Sequence, residues 1–157
     1  MGYTHYYTRP VNGAGSAYMF GKLALDTKSI CDHAQANGIP LANGNAEAGT
    51  QPEFTEGYFS LNGVSDENGD NGHETLYWAG IPTQPEYRKD RPEYFEFCKT
   101  AHKPYDAVVT AILIRAKTIY GSCVSVSSDG DWTEWQAGRD LYEKIFGEIA
   151  VNPTSVL

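Results

Sequence analysis

Alternation of aromatic and hydroxyl side chains at the start of the chain predicts a β-strand over residues 3–8. Tyr3, His5 and Tyr7 fall on one side of this strand, and the residues between them fall on the other. Apolar runs bounded by Gly, Asn and Pro predict three further strands. These are residues 54–62, 73–80 and 94–98. The acidic segment 66–72 predicts the loop of a hairpin.

Apolar residues that recur every three to four positions predict three helices. The first begins at its capping residue Ser16, after the loop 13–15, and ends at Gly38. The second begins near Pro104 and carries the widest apolar stripe of the chain, which predicts a central place in the core. A short strand at 123–126 precedes the third helix. There Asp131 and Glu134 have the spacing of a capping box.

The order of these elements, β-α-β-β-(β)-α-β-α, predicts an α+β fold. A mixed or antiparallel sheet with about three helices packed on it fits better than a doubly wound fold, because hairpins interrupt the alternation. The chain has 157 residues, of which 41% are apolar, and this suffices for one compact domain over residues 1–157. Residues 152–157 are expected to form a frayed tail.

The charge balance is acidic, with 12 Lys and Arg against 20 Asp and Glu, a net charge of −8. This balance disfavours a protein that coats nucleic acid. No apolar run reaches the roughly 18 residues of a membrane span, so no membrane association is predicted. The start of the chain lacks the features of a secretory signal, and three widely spaced cysteines suit a reducing compartment. These features predict a soluble cytoplasmic protein.

The first strand is a candidate ligand-binding element. Its rings can stack on a base or a sugar, and Arg9 can pair with a phosphate or a carboxylate. We therefore take His5, Tyr7 and Arg9 as candidate ligand-binding residues. The alternative is that Tyr and Thr are simply good strand formers and that His5 is a hydrogen-bonded core residue.

The densest basic region of the chain surrounds Cys98. It holds five of the twelve basic residues, Arg88, Lys89, Arg91, Lys99 and Lys103. Lysines and a helix N-terminus lower the pKa of a thiol, so Cys98 is a candidate nucleophile with His102 or His73 as its base. The same groups could instead hold an anion, with Lys99, Thr100 and Lys103 as binding residues. A third interpretation is that Cys98 is a small buried apolar residue.

The loop at residues 127–130 lies between a strand and a helix, where ligands are often bound. Ser127, Ser128 and Asp129 suit a ribose hydroxyl or an amine, although capping of the last helix also accounts for them. His73 is a further candidate for ligand binding or catalysis. Because His73 and Glu74 are adjacent on a strand, they point to opposite faces, so a partner for either must come from elsewhere.

Metal and cofactor motifs are absent from the sequence. The acidic loop opens like a calcium loop, but Asn71 and Tyr77 occupy positions that require Gly and Glu. Weak binding by Asp66, Asp70 and Glu74 is the only alternative to a solvated hairpin tip. No dinucleotide fingerprint, phosphate loop, hydrolase elbow or zinc-protease motif occurs. The sequence therefore predicts no cofactor and no dedicated metal site.

Several motifs resemble an uncharacterised family of phage and prophage proteins. They are Met1 to Tyr6 (MGYTHY) with Thr8-Arg9-Pro10, His73-Glu74-Thr75, Phe97 to Ala101 with Lys103 to Asp106, and Ser127 to Gly130. The resemblance runs from end to end, and Tyr7 stands where the family usually has Trp. It implies a phage or mobile-element protein in the host cell cytoplasm, and no settled activity comes with it.

Three functions remain open at the level of sequence. The first is a phage-encoded binder, forming a homo-oligomer, that captures a nucleotide-derived immune signal of the host. The aromatic strand, the basic cluster and the 127–131 loop would supply stacking, phosphate and ribose contacts. The second is an enzyme that cleaves such a ligand with Cys98, or with His5 and His73. The third is an acidic protein-interaction module or nucleic-acid mimic.

Overall fold

The computed structural model describes residues 2–11 and 16–154, with the side chain of Ser16 excepted. The predicted loop 13–15, the Ser16 cap and residues 155–157 of the predicted tail lie outside the described residues. The elements are β1 (Thr4–Pro10), α1 (Ser16–Ala36), β2 (Glu53–Phe54), β3 (Tyr58–Leu61), β4 (Ser65–Asp66), β5 (Gly69–Asp70), β6 (Leu76–Ala79), β7 (Glu93–Lys99), α2 (Asp106–Tyr120), β8 (Ser125–Ser128) and α3 (Gln136–Phe146). This content confirms the predicted α+β class.

The first sheet has the strand order β7-β1-β8, and both pairings are antiparallel. In the register of this sheet, His5 lies opposite Cys98 on one side and Ser128 on the other. His5, Tyr7 and Arg9 are all buried, which identifies their side of β1 as the inner face. Strands β7 and β8 are far from β1 in the sequence, but they pair on either side of it and so flank His5.

The second sheet has the order β2-β3-β6, and β4 pairs with β5 as a separate hairpin. The two larger sheets meet at the fully buried Trp78. Its ring lies 6.3 Å from that of Phe59 on β3 and 4.9 Å from that of Tyr7 on β1, both in stacked orientations. Aromatic packing of this kind buries large apolar areas and ties the sheets together.

The predicted central helix is confirmed in α2, where ten of fifteen residues are buried. Such a helix needs neighbours on several sides, and α1 and α3 supply them. The closest approach to α3 is at Gly138, where an added Cβ would lie 1.8 Å from Oγ1 of Thr110. Only glycine permits this separation of the two helices.

Several predicted boundaries differ from the structure, and the strand predicted at 73–80, for example, begins at Leu76. The strand predicted at 54–62 is split, because Oγ1 of Thr55 accepts hydrogen bonds from the backbone of Gly57 and Tyr58 and turns the chain. The strand predicted at 123–126 begins two residues later, after a 3₁₀ turn at Gly121–Cys123. Thr154 forms a bridge with Val126, so the described end of the predicted tail is ordered.

The predicted capping box is present in the turn that precedes α3. The backbone N–H of Asp131 donates to the carboxylate of Glu134 over 3.0 Å, and the N–H of Glu134 donates to Asp131 over 2.9 Å. The reciprocal bonds close the turn at residues 131–134, whereas α3 itself begins at Gln136 without a side-chain capping bond from Trp135. None of the described helices has the length and apolar character needed to cross a membrane.

Candidate functional site

A chain of hydrogen bonds runs through the interior between the first sheet and α2. Nε2 of His5 lies 2.6 Å from a carboxylate oxygen of Asp106, the first residue of α2. Nδ1 of His5 lies 2.8 Å from the hydroxyl oxygen of Ser128, the last residue of β8. Thr100 donates its hydroxyl to the same oxygen of Asp106 over 2.5 Å. We call His5, Thr100, Asp106 and Ser128 the buried relay.

The protons of the buried relay follow from donor and acceptor capacity. A carboxylate only accepts, so Nε2 of His5 carries the proton that is donated to Asp106. The hydroxyl oxygen of Ser128 accepts from the backbone N–H of Gly130 over 2.9 Å and from Nε1–H of Trp135 over 3.3 Å. Both lone pairs of this oxygen are then used, so the Ser128 hydroxyl proton points to Nδ1 of His5.

Aromatic rings enclose His5 on two sides. Tyr3 and Trp135 each present an edge-to-face contact, with ring centroids 5.1 Å from that of His5. The turn after β7 closes this region with two non-glycine residues at positive φ, Ala101 at 52° and His102 at 59°. The ring of His102 stacks on Tyr3 with a centroid distance of 3.6 Å. Such backbone strain persists only where the surroundings over-determine the conformation.

The outer face of the first sheet carries a pocket of about 460 Å³. Tyr6 and Phe95 stack along one side of it, with ring centroids 6.1 Å apart. The rest of the lining is mostly hydroxyl-bearing or small, and consists of Thr8, Ser125, Val126, Ser127, Ser128, Gly130 and Thr154. Ser128 therefore belongs both to the buried relay and to the pocket lining.

The aromatic surface extends beyond the pocket along β7. Phe95 and Phe97 alternate with buried or half-buried residues and are 44% and 50% exposed. Their rings lie 6.0 Å apart. Lys99 occupies the next outward position of the same strand. We call Tyr6, Phe95, Phe97 and Lys99 the outer platform.

Asp129 lies beside both the pocket and β1. Its carboxylate accepts from the hydroxyl of Tyr6 and from the backbone N–H of Thr4, each over 3.1 Å. The hydrogen bond points the hydroxyl of Tyr6 toward Asp129, which itself remains exposed to solvent.

Two residues that the sequence singled out, Tyr7 and Arg9, lie inside the protein, away from the pocket's aromatic side. The hydroxyl of Tyr7 donates to the carbonyl of Tyr77 over 2.7 Å. The guanidinium of Arg9 lies 4.4 Å from the ring centroid of Trp78 and donates to the carbonyl of Ala79 over 2.7 Å. Burial lowers the pKa of Arg9. Their positions indicate a packing role.

The remaining basic candidates do not come together at one point. Lys103 bonds to the carbonyl of Asp70 over 2.8 Å. His73 is exposed beside the same hairpin, and Lys99 lies on the outer platform. Among residues 2–11 and 16–154, no three His, Cys, Asp or Glu side chains are grouped so that they could hold a metal ion.

Cys98 is fully buried, and the expected lowering of its pKa is wrong in direction. Its thiol lies opposite His5 on the inner face and donates to the carbonyl of Glu74 over 3.5 Å. Burial raises the pKa of Cys98 well above its ordinary value, because the thiolate would lose its hydration. The lysine at position 99 points to the opposite face of the strand and does not offset this.

We expect thiol reagents to modify one cysteine of the native protein. Cys31 is buried and its pKa is raised to about 12, and Cys98 is also buried, whereas Cys123 is partly exposed. Titration with a chromogenic disulfide at neutral pH should show one fast thiol, and the other two should react only after denaturation. Peptide mapping should place the fast label on Cys123. Fast labelling of Cys98 would contradict its burial.

The sequence did not single out three residues on which this site depends. Asp106 lies within a motif segment but is not among the candidate site residues, and Trp135 is not among them either. Tyr6 was placed on the face of β1 opposite Tyr7. The alternation of β1 is the signal that separates Tyr6 from Tyr7, although it does not say which face is buried.

No family model, curated protein or solved structure matches this chain. The site is therefore interpreted from its own geometry.

Proposed function

We propose that the protein binds a small nucleotide-derived ligand on the outer face of its first sheet. The observation that carries this proposal is the pocket of about 460 Å³ that combines the stacked Tyr6 and Phe95 rings with serine and threonine hydroxyls. Pockets of this size accommodate small organic ligands. Exposed aromatic rings on an antiparallel sheet are suited to stacking on a flat base.

Each part of such a ligand has a matching group on this face. The base stacks on the Tyr6 and Phe95 rings, and the ribose hydroxyls donate to Asp129 or bond to Ser127. The pocket lining contains no basic side chain. A phosphate is therefore directed toward Lys99, two positions beyond Phe97 on β7, a step of about 7 Å along a strand.

The resemblance to phage and prophage proteins supports a more specific form of the proposal. In that setting, the ligand is a nucleotide-derived immune signal of the host, and the protein acts in counter-defence by sequestering it. A chain whose net charge is −8 does not attract nucleic acid in general, so a single small ligand is favoured over a polymer.

Calorimetry against a panel of cyclic dinucleotides and ADP-ribose derivatives tests the proposal. We expect at least one member to bind, and we expect Tyr6→Ala to weaken it about 10- to 100-fold, since stacking on one base contributes about 1–3 kcal/mol. Tyr18→Ala is the matched control, because Tyr18 is an exposed tyrosine on α1. No binding by any member, or equal weakening by both variants, would refute the proposal.

A further inference from the structure

We propose that Ser128 is a nucleophile that cleaves a carboxylic ester, with His5 as its general base and Asp106 as the positioning residue. The inference uses the pocket on the outer sheet face but not the identity of the ligand proposed above. A binding protein returns its ligand intact, whereas this activity converts it.

The geometry provides the three groups that an activated serine requires. The Ser128 oxygen lies 2.8 Å from Nδ1 of His5, within the range for proton transfer. The opposite ring nitrogen lies 2.6 Å from Asp106, which fixes the tautomer and stabilises the positive ring that forms. The roles of the two ring nitrogens are reversed relative to the serine protease arrangement, but the order serine, imidazole, carboxylate is the same.

Access to the nucleophile comes from the pocket side. His5 and Thr100 are fully buried, but Ser128 is partly exposed and lines the 460 Å³ pocket. In the sheet register Ser128 lies opposite His5 on the edge strand β8, and the relay runs from there to the Asp106 carboxylate, which is 15% exposed.

The reaction balances with water as the only co-reactant. The Ser128 oxygen bonds to the carbonyl carbon of the ester while its proton passes to Nδ1 of His5. The alcohol leaves with that proton, and Ser128 holds the acyl group. Water then gives a proton to His5 and attacks the acyl carbon, so that the carboxylic acid is released and the proton returns to Ser128.

Two N–H groups lie beside the Ser128 oxygen. Nε1–H of Trp135 and the backbone N–H of Gly130 both point at the Ser128 oxygen. The hydrogen bond from Trp135 is the longer of the two, at 3.3 Å. The lone pair of Ser128 that accepts this bond is therefore the one that is freed for attack. Nε1–H can then donate to the carbonyl oxygen as negative charge develops there.

The charges near Ser128 favour an ester over a phosphoester. Asp129 follows it in sequence, and the carboxylates of Asp106, Glu134, Asp131 and Asp129 raise the pKa of nearby Tyr3, after the larger effect of its burial. Phosphoryl transfer requires cations around the transferred group. The pocket lining contains no Lys or Arg. An uncharged acyl group fits this environment.

Labelling with a fluorophosphonate tests the nucleophile directly. Its phosphorus accepts the Ser128 oxygen and releases fluoride, so intact mass spectrometry should show one adduct per chain, which peptide mapping should place on Ser128. Ser128→Ala should abolish the adduct. Ser29→Ala, which alters an exposed serine on α1, should label at the rate of the wild type. The wild type and the control variant should also hydrolyse p-nitrophenyl acetate, and Ser128→Ala should not.

Asp106→Asn separates activation from structure. This variant keeps an acceptor for the ring but removes the negative charge, and we expect labelling to slow about 100-fold or more in a protein that still unfolds cooperatively. No adduct on folded wild type, an adduct on Ser127, or an unchanged rate in Asp106→Asn would each overturn the inference. Labelling without binding of any nucleotide would refute the proposed ligand and retain the nucleophile.

Discussion

Replacement of Trp78 by alanine is expected to lower the free energy of unfolding by about 3–5 kcal/mol, the usual cost of removing a large aromatic side chain from a core. Trp78 is fully buried and contacts both sheets. Its Nε1–H donates to the hydroxyl of Tyr120 over 3.2 Å. The substitution leaves a cavity, removes one donor from the Tyr120 hydroxyl and leaves the Arg9 guanidinium without the ring beneath it.

Urea denaturation followed by circular dichroism measures this loss. Trp78→Phe should lose less of the free energy of unfolding than Trp78→Ala, because an aromatic ring still packs against Tyr7. Tyr77→Ala is the matched control, since Tyr77 is the preceding residue on β6 but is 38% exposed, and it should lose less than about 1 kcal/mol. A loss in Tyr77→Ala as large as that in Trp78→Ala would show that Trp78 does not join the two sheets.

The Arg9 environment explains why removal of Trp78 should be so costly. Among the described residues, no acidic side chain pairs with Arg9. The guanidinium lies over Trp78 and 5.7 Å from the ring centroid of Tyr120. A buried cation must be compensated, and these ring faces supply part of the compensation. The phosphate contact expected for Arg9 from the sequence is replaced by packing against aromatic rings.

Strand β1 shows how far the sequence could predict the site. Its alternation correctly separated two faces, but both faces carry rings and hydroxyls, so composition did not identify the buried one. Tyr7 was chosen as the stacking residue, and the structure places Tyr6 in the pocket instead. The choice between them depends on where the helices pack, which is a tertiary property.

The same alternation could have corrected the expectation for Cys98. In a strand, Lys99 points away from the face that carries Cys98, so proximity in sequence does not bring its charge to the thiol. The helices and strands were predictable because their apolar periods are local. The buried relay was not, since His5 and Ser128 are separated by 123 positions and meet only through the sheet register.

Replacement of Asp106 by alanine is expected to lower the free energy of unfolding by about 2–6 kcal/mol, because each of two orphaned buried donors costs about 1–3 kcal/mol. Two donors lose their acceptor, Nε2–H of His5 and the hydroxyl of Thr100. Both donor side chains are fully buried, and the carboxylate that they share is 15% exposed. Asp106→Asn should lose less, since its amide oxygen still accepts.

Chemical denaturation compares the stability of the wild type, Asp106→Ala and Asp106→Asn. The Nε2–H proton resonance of His5 reports the hydrogen bond to Asp106 itself. The resonance should be present in the wild type and lost in Asp106→Ala. Asp140→Ala controls for removal of a carboxylate, because Asp140 is an exposed residue of α3 and should cost less than about 0.5 kcal/mol. If Asp106→Ala is as stable as this control, the buried relay does not hold the sheet to α2. Ser128 would then lack a fixed base, and the nucleophile would fail with it.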